Sequence, residues 1–249
     1  MPISVGKVNF DFSGRTVVVT GAARGIGLEI ARSFVTAGAS VWIADADEGA
    51  LAAAAPATGA RGVLLDVRDS AAVDDFVADV VAADGRIDVL VNNAGLLRDG
   101  MLWKLGDEDW DAAVDVSLGG SFKLTRACVP HFRSQSWGRV INVTSSSGLR
   151  GNLGQSNYAA AKAGIVGFTK TAARELGRFG VTVNAISPNA KTRMIESVPT
   201  DRLAAVEATI PLGRFGEPAE MAGSVMFLAS DAAAYVTGVV LRIDGGLAM

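Results

Sequence analysis

A chain of 249 residues is long enough for one large α/β domain with a sizeable core, and nothing in it marks a linker, a repeat or a domain boundary. A net charge of −3 and a pI near 5.3 exclude the basic stripe that nucleic acid or an anionic membrane surface requires. One cysteine, Cys128, excludes an internal disulfide and fits a reducing, cytoplasmic setting, and with the lone His131 it offers no His/Cys cluster, so no metal site is expected.

Mean hydropathy is +0.31, apolar for a soluble protein, yet no apolar run reaches the ~18 residues of a membrane helix. A parallel sheet covered on both faces explains this, because its strands are apolar throughout. The start, MPISVGKVNFDFSGR, has no apolar h-region, and GGLAM at the end is no peroxisomal address. Cys128 lies in LTRACVPHF, where it reads as a small buried hydrophobe.

Residues 15–20 (RTVVVT) are a β-branched run that reads as a buried strand. TGAARGIG follows at 20–27 and opens an amphipathic helix. In that context Gly21 permits a tight turn, and Gly25 and Gly27 let backbone approach a pyrophosphate at the helix N-terminus. The next strand, SVWIAD, ends at Asp45, 18 residues beyond Gly27. A carboxylate about 20 residues on is placed to hold a ribose 2′-OH and to repel a 2′-phosphate, so NAD is expected over NADP. Arg24 argues mildly the other way.

An Ala-rich helix (about 47–55), a third strand ending at Asp66, a helix (70–83) and a fourth strand running into NNAG follow. This alternation predicts a doubly wound parallel sheet with helices on both faces. Asp45, Asp66, Asn93 and Ser145 then share the carboxyl edge, where ligands bind in such sheets. KLGDEDWDAAV starts another helix, in which Trp110 reads as core or interface. A helix over 119–134 and a strand over 138–144 lead to Ser145. After a Gly-rich loop, Tyr158 and Lys162 stand four residues apart in a helix expected over 157–178, one turn apart on one face. A free tyrosine titrates near ~10; a fixed ammonium favours its ionised form, and a serine hydroxyl can hold the reacting oxygen. The trio can move a proton on and off an alcohol while another group takes the hydride. VTVNAIS is a sixth strand. Residues 188–216 read as irregular, a substrate lid. A helix with Pro218 in its first turn and a last strand, VVLRID, complete the chain.

Taken together, TGAARGIG, NNAG, the Ser145–Tyr158–Lys162 spacing and RIDGG resemble the short-chain dehydrogenase/reductase superfamily along essentially the whole chain. The resemblance implies one Rossmann domain over residues 1–249, with a seven-stranded parallel sheet. It implies hydride transfer with a nicotinamide, Tyr158 as acid/base, Lys162 binding the nicotinamide ribose and lowering the tyrosine pKa, and Ser145 positioning the reacting oxygen. The cofactor would also meet Arg24, Ile26, Asp66, Val67, Asn93, Ala94, Gly95, Pro188 and Thr192. The substrate would meet Ser145, Gln155, Tyr158, Asn189 and Met194. A homotetramer is implied, packed through helices near 107–134 and 155–178.

Two positions depart from the family pattern. VDVSLGGSF places Ser117 where an asparagine usually supports a water-linked proton path from the lysine, so a relay through residue 117 is in doubt. PNAKTRM replaces PGxxxT, with Asn189 for the glycine; asparagine tolerates left-handed backbone, so the turn can survive. Both departures resemble the hydroxyacyl-CoA dehydrogenase domains of multifunctional β-oxidation enzymes. Bacterial 3-oxoacyl-ACP reductases are also similar, through GRVINVTSSSG and GQSNYAAAKAG, though the short loop fits them less well. The leading expectation is an NAD-dependent oxidoreductase of (3R)-3-hydroxyacyl/3-oxoacyl thioesters. Lys191, Arg193 and Arg202 are candidates for CoA phosphates or plain solvated charges. The apolar lid positions Met194, Ile195, Val198, Leu203 and Ile210 suit an acyl chain or a steroid equally, so a hydroxysteroid dehydrogenase stands as the alternative. A non-catalytic dinucleotide sensor is the remote one.

Overall fold

In the computed structural model, residues 8–191 and 200–248 are described. Thr192, Arg193, Met194, Ile195, Val198 and Pro199, and the side chain of Arg202, lie outside the described residues. Seven strands form one sheet: β1 (Thr16–Thr20), β2 (Ser40–Asp45), β3 (Arg61–Leu64), β4 (Val89–Asn92), β5 (Gly138–Val143), β6 (Val181–Pro188) and β7 (Val240–Ile243). Every pairing is parallel and the order is β3-β2-β1-β4-β5-β6-β7. The order reverses between β1 and β4, which opens a crevice at their carboxyl ends.

Consecutive strand residues face opposite sides. Val17 and Val19 join a core with Ile30 and Phe34 of helix α1 (Gly25–Thr36), Leu51 of α2 (Glu48–Thr58), and Val225 of the helix Pro218–Ala229. Val18 joins the opposite core with Phe76 of α3 (Ser70–Asp84), Leu124 and Cys128 of α5 (Gly120–Gln135), and Leu176 of α7 (Ser156–Leu176). Both faces are covered, which is why the strands read as unbroken apolar runs. Cys128 is fully buried, and desolvation pushes its thiol far above the ordinary range. No helix among the described residues is long and apolar enough to cross a membrane.

Several boundaries differ from the sequence expectation. β3 stops at Leu64, short of Asp66, because it is an edge strand with mostly exposed side chains. Trp110, in α4 (Asp107–Val114), is 39% exposed and outside the core of this chain. The helix expected over 119–134 is preceded by a π-helical turn, Asp115–Gly119, that joins α4 to α5. The stretch expected to be irregular contains α8 (Thr200–Glu207). Its two ends are tied together, Lys191 N donating to Gly216 O at 2.8 Å and Gly216 N to Asn189 O at 3.1 Å. Pro218 does open α9 (Pro218–Ala229), behind a capping box of Glu217 and Glu220.

Candidate active site

The glycine loop leaves β1 with Gly21 at φ +61° and Gly25 at φ +57°. A Cβ on Gly21 would stand 2.7 Å from Ala94 Cα, and one on Gly27 would stand 2.5 Å from Asn93 Nδ2. The loop therefore packs directly on the turn after β4, and larger residues would force the two apart. Asn93 Nδ2 donates to Thr20 O at 3.0 Å and Gly21 O at 2.7 Å, while Thr20 Oγ1 accepts from Asn93 N and Ala94 N, both at 3.2 Å. Asn93 and Ala94 thus brace the glycine loop.

Asp45 closes β2 and turns its carboxylate onto the loop: Oδ2 accepts from Ala23 N at 3.0 Å and Oδ1 from Asp47 N at 3.1 Å. Arg24 is ion-paired with Asp47. Asp66 chelates the Arg68 guanidinium, which holds the Asp66 carboxyl below its ordinary range. Val67 is buried against Gly120.

Ser145 is the N-cap of α6 (Ser146–Arg150), its Oγ accepting from Ser147 N at 3.2 Å. A Cβ on Gly148 would lie 2.6 Å from the Lys162 carbonyl carbon, so α6 and α7 are in backbone contact. This seats Ser145 against Tyr158. Lys162 is 2% exposed; its Nζ donates to Val143 O at 2.7 Å and lies 5.5 Å from the centre of the Tyr158 ring. Desolvation lowers its pKa to about 8.

Burial holds the Tyr158 phenol above its ordinary value; the Ser145 hydroxyl opposes this and the Asp99 carboxylate adds to it. The expected lowering by Lys162 is not the governing effect in this structure. The ammonium is spent on the Val143 carbonyl and lies over the ring rather than at the hydroxyl.

Ser117 is fully buried in the π-helical turn, and its Oγ has no hydrogen-bond partner. A Cβ on Gly95 would stand 3.3 Å from Lys162 Nζ and 3.6 Å from Ser117 Oγ, so the three converge. Ser117 O is taken by Ser121 Oγ at 2.7 Å. π-Helical turns concentrate at functional sites, and this one carries the residue that departs from the family pattern.

Gln155 caps α7, and its amide is engaged by the protein. Oε1 accepts from Ser147 Oγ at 2.8 Å and Asn152 Nδ2 at 2.9 Å, while Nε2 donates to Asp99 Oδ2 at 3.0 Å. Pro188 ends β6, and Asn189 follows with its N–H on Ile243 O at 2.9 Å. Asn189 is not left-handed, since Ser136 is the only described non-glycine with positive φ; the turn does not need that tolerance of asparagine. Ile210 is 3% exposed and packs on Gly245, so it belongs to the body rather than to an open lid face. Lys191 is exposed and Leu203 half-buried.

Sequence reasoning missed the supports. Asn92 Nδ2 donates to Asn142 Oδ1 at 2.8 Å and to Thr125 Oγ1 at 3.1 Å, and Asn142 Nδ2 to Thr169 Oγ1 at 2.9 Å, a buried lattice linking β4, β5, α5 and α7. Asn157, fully buried, donates to Arg98 O and Asp109 O at 2.9 and 3.0 Å and accepts from Tyr158 N at 2.8 Å. Asparagines within apolar strands and beside Tyr158 were the available signal.

These residues fit a dinucleotide. The N-terminus of α1 has no side-chain cap and no acidic residue in its first turn, which leaves its N–H groups and dipole for an anion. Asp45 closes β2, the strand end at which the sequence leads one to expect the adenosine ribose. At the far side of the edge, Lys162 Nζ lies at the end of β5, and Ser187 Oγ and Asn189 Nδ2, buried and without hydrogen-bond partners, lie at the end of β6.

This fold and this edge define a member of the short-chain dehydrogenase/reductase family, to which the chain belongs; the family profile described as Enoyl-(Acyl carrier protein) reductase matches residues 21–248. It is an oxidoreductase of the CH–OH group, interconverting a secondary alcohol and a ketone. Among similar proteins, the 3-oxoacyl-[acyl-carrier-protein] reductase FabG of Thermotoga maritima is 44% identical over 240 residues, 94% of this chain and 98% of the relative. FabG of Escherichia coli is 40% identical over 242 residues, 96% and 99% of the two chains. The 3-oxoacyl-[acyl-carrier-protein] reductase of Synechocystis is 42% identical over 245 residues, 95% and 98%. These names weigh toward the carrier-protein reductases, where the short PNA loop had pointed first to hydroxyacyl-CoA dehydrogenase domains.

Proposed function

We propose that the enzyme interconverts a 3-oxoacyl and a (3R)-3-hydroxyacyl thioester, carried on acyl carrier protein or CoA, and prefers NAD to NADP. The observation that carries the reading is the convergence of Ser145, Tyr158 and Lys162 at the carboxyl edge, where α6 and α7 touch at Gly148 and Lys162 Nζ lies 5.5 Å from the Tyr158 ring centre. Relatives named for 3-oxoacyl reduction support the substrate class, and Asp45 at the end of β2 supports NAD.

A bound nicotinamide would supply hydride chemistry at the substrate carbon. Ser145, whose Oγ already accepts from Ser147 N, keeps its own proton for the ketone oxygen. Tyr158 donates its phenolic proton to that oxygen as negative charge develops there. At neutral pH the phenol carries its proton even at a tyrosine's ordinary value, so it is available to donate. Lys162, buried and cationic below about pH 8, supplies the nearby positive charge and would bind the nicotinamide ribose. Asp45 would take the adenine-side ribose. Pro188, Asn189 and Thr192 would border the nicotinamide end, and Met194 the acyl chain. Residues 188–216 act as the substrate lid of a single domain spanning 1–249. The exposed Trp110 and Phe122, on two of the helices expected to pack between subunits, support a homotetramer, and the single buried thiol supports a cytoplasmic setting.

The test is a steady-state assay following nicotinamide absorbance, with acetoacetyl-ACP and acetoacetyl-CoA as substrates and NADH and NADPH alongside. Turnover of either thioester, faster with NADH, supports the reading. Turnover of bulky cyclic ketones but of neither thioester overturns the substrate class, and a preference for NADPH overturns the cofactor choice.

A further inference from the structure

Arg24 is the only basic residue of the TGAARGIG loop. It sits at the N-cap position of α1, beside the end of β2, where a 2′-phosphate on the adenosine ribose would arrive. Left alone it would be a ready ligand for that anion, because a guanidinium matches phosphate with paired donors.

It is not left alone. Asp47 is fixed as the N-cap of α2, its Oδ1 accepting from Ala50 N at 2.9 Å. Its other oxygen takes the Arg24 guanidinium. The carboxylate is held by the helix it caps, so it meets the arginine at little further cost in side-chain freedom. The neighbouring corner repeats the arrangement: Arg68, just beyond β3, is chelated by Asp66.

We propose that Asp47 is a second cofactor-specificity residue: by engaging Arg24 it withholds the one loop cation from a 2′-phosphate, so that Asp45 and Asp47 reject NADP by separate means. Asp45 occupies the ribose position, whereas Asp47 removes the compensating charge. The inference rests on the NAD preference proposed above.

Asp47→Asn isolates the charge, since asparagine caps a helix as well as aspartate does. The readout is the dissociation constant of NAD⁺ and of NADP⁺, measured by calorimetry on the purified protein at low and at high salt. The variant is expected to bind NADP⁺ about fivefold tighter, as for one partly screened surface charge, and NAD⁺ within about twofold of the parent. The gain should shrink at high salt and vanish in Arg24→Ala/Asp47→Asn. If the parent prefers NAD⁺ and Asp47→Asn leaves NADP⁺ affinity unchanged, the role of Asp47 is overturned while the NAD reading stands. If the parent prefers NADP⁺, both fall. A gain that persists without Arg24 also overturns the proposal, because it would then be simple repulsion by Asp47.

Discussion

Burial drives Tyr158 and Lys162 toward their neutral forms by opposite shifts. The phenol is held protonated, and the ammonium is brought to about 8. Tyr158→Phe removes the proton donor proposed to act beside Ser145, so kcat should fall by about 10²–10⁴-fold with nicotinamide binding retained; single-turnover kinetics and a binding titration check the two halves. Lys162 has a consequence for stability. The folded chain releases its proton near pH 8, whereas the unfolded chain keeps it to about 10.5. Between those values the unfolded state binds more protons, so stability rises with pH. From about pH 7 to about pH 9.5 the gain is about 2 kcal/mol, and it should disappear in Lys162→Met, as read from urea unfolding at the two pH values. The Tyr–Lys spacing was legible because a four-residue step on a helix has one geometric meaning. That the lysine would bond the Val143 carbonyl, 19 residues away in the chain, was not.

At the scale of elements, the site depends on how closely α6 lies on α7. Gly148 is where their backbones touch. Gly148→Ala would push a methyl against the Lys162 and Ala163 backbone, which cannot yield as a flexible side chain does. A loss of about 1–3 kcal/mol is expected from the overpacking, with kcat lowered as Ser145 is carried away from Tyr158. A thermal midpoint and kcat measured together check it; a variant that loses stability but keeps full kcat would contradict the coupling. The strands were legible as elements because both faces are buried, leaving no polar alternation to confuse the pattern. The π-helical turn at Asp115–Gly119 was not, since VDVSLGGSF reads as ordinary helix and the extra backbone residue follows from tertiary packing. Helix α8 was hidden by the prolines at 199 and 211, which mark its flanks but read as a broken segment.

For the whole molecule, parallel strands separate chemistry from support. Every carboxyl end points to the ligand edge, and every amino end to the opposite one. There, Asp88 is fully buried just before β4. It accepts from Thr16 N at 2.9 Å, Arg15 Nη1 at 3.1 Å, and Arg86 Nε and Nη2 at 2.7 and 2.6 Å. The same edge carries Trp137, with the Arg15 and Arg139 guanidinium carbons 4.0 and 4.2 Å from its ring centre. Alternating strands and helices were enough to predict the separation, but not this cluster, whose members are spread from residue 15 to residue 139 and meet only once the sheet forms. Asp88→Ala would leave the Thr16 N–H unpaired and free two arginines from a buried acceptor. Both arginines are partly exposed and can rehydrate, so the expected loss is about 3 kcal/mol rather than the larger figure for a fully buried pair. Because the cluster lies at the amino ends, kcat and KM per folded molecule should stay within about twofold of the parent where the variant remains folded. A fall in kcat without a fall in thermal midpoint would mean that the two edges are coupled through the sheet, and that the β1–β4 crevice is not the rigid platform its packing describes.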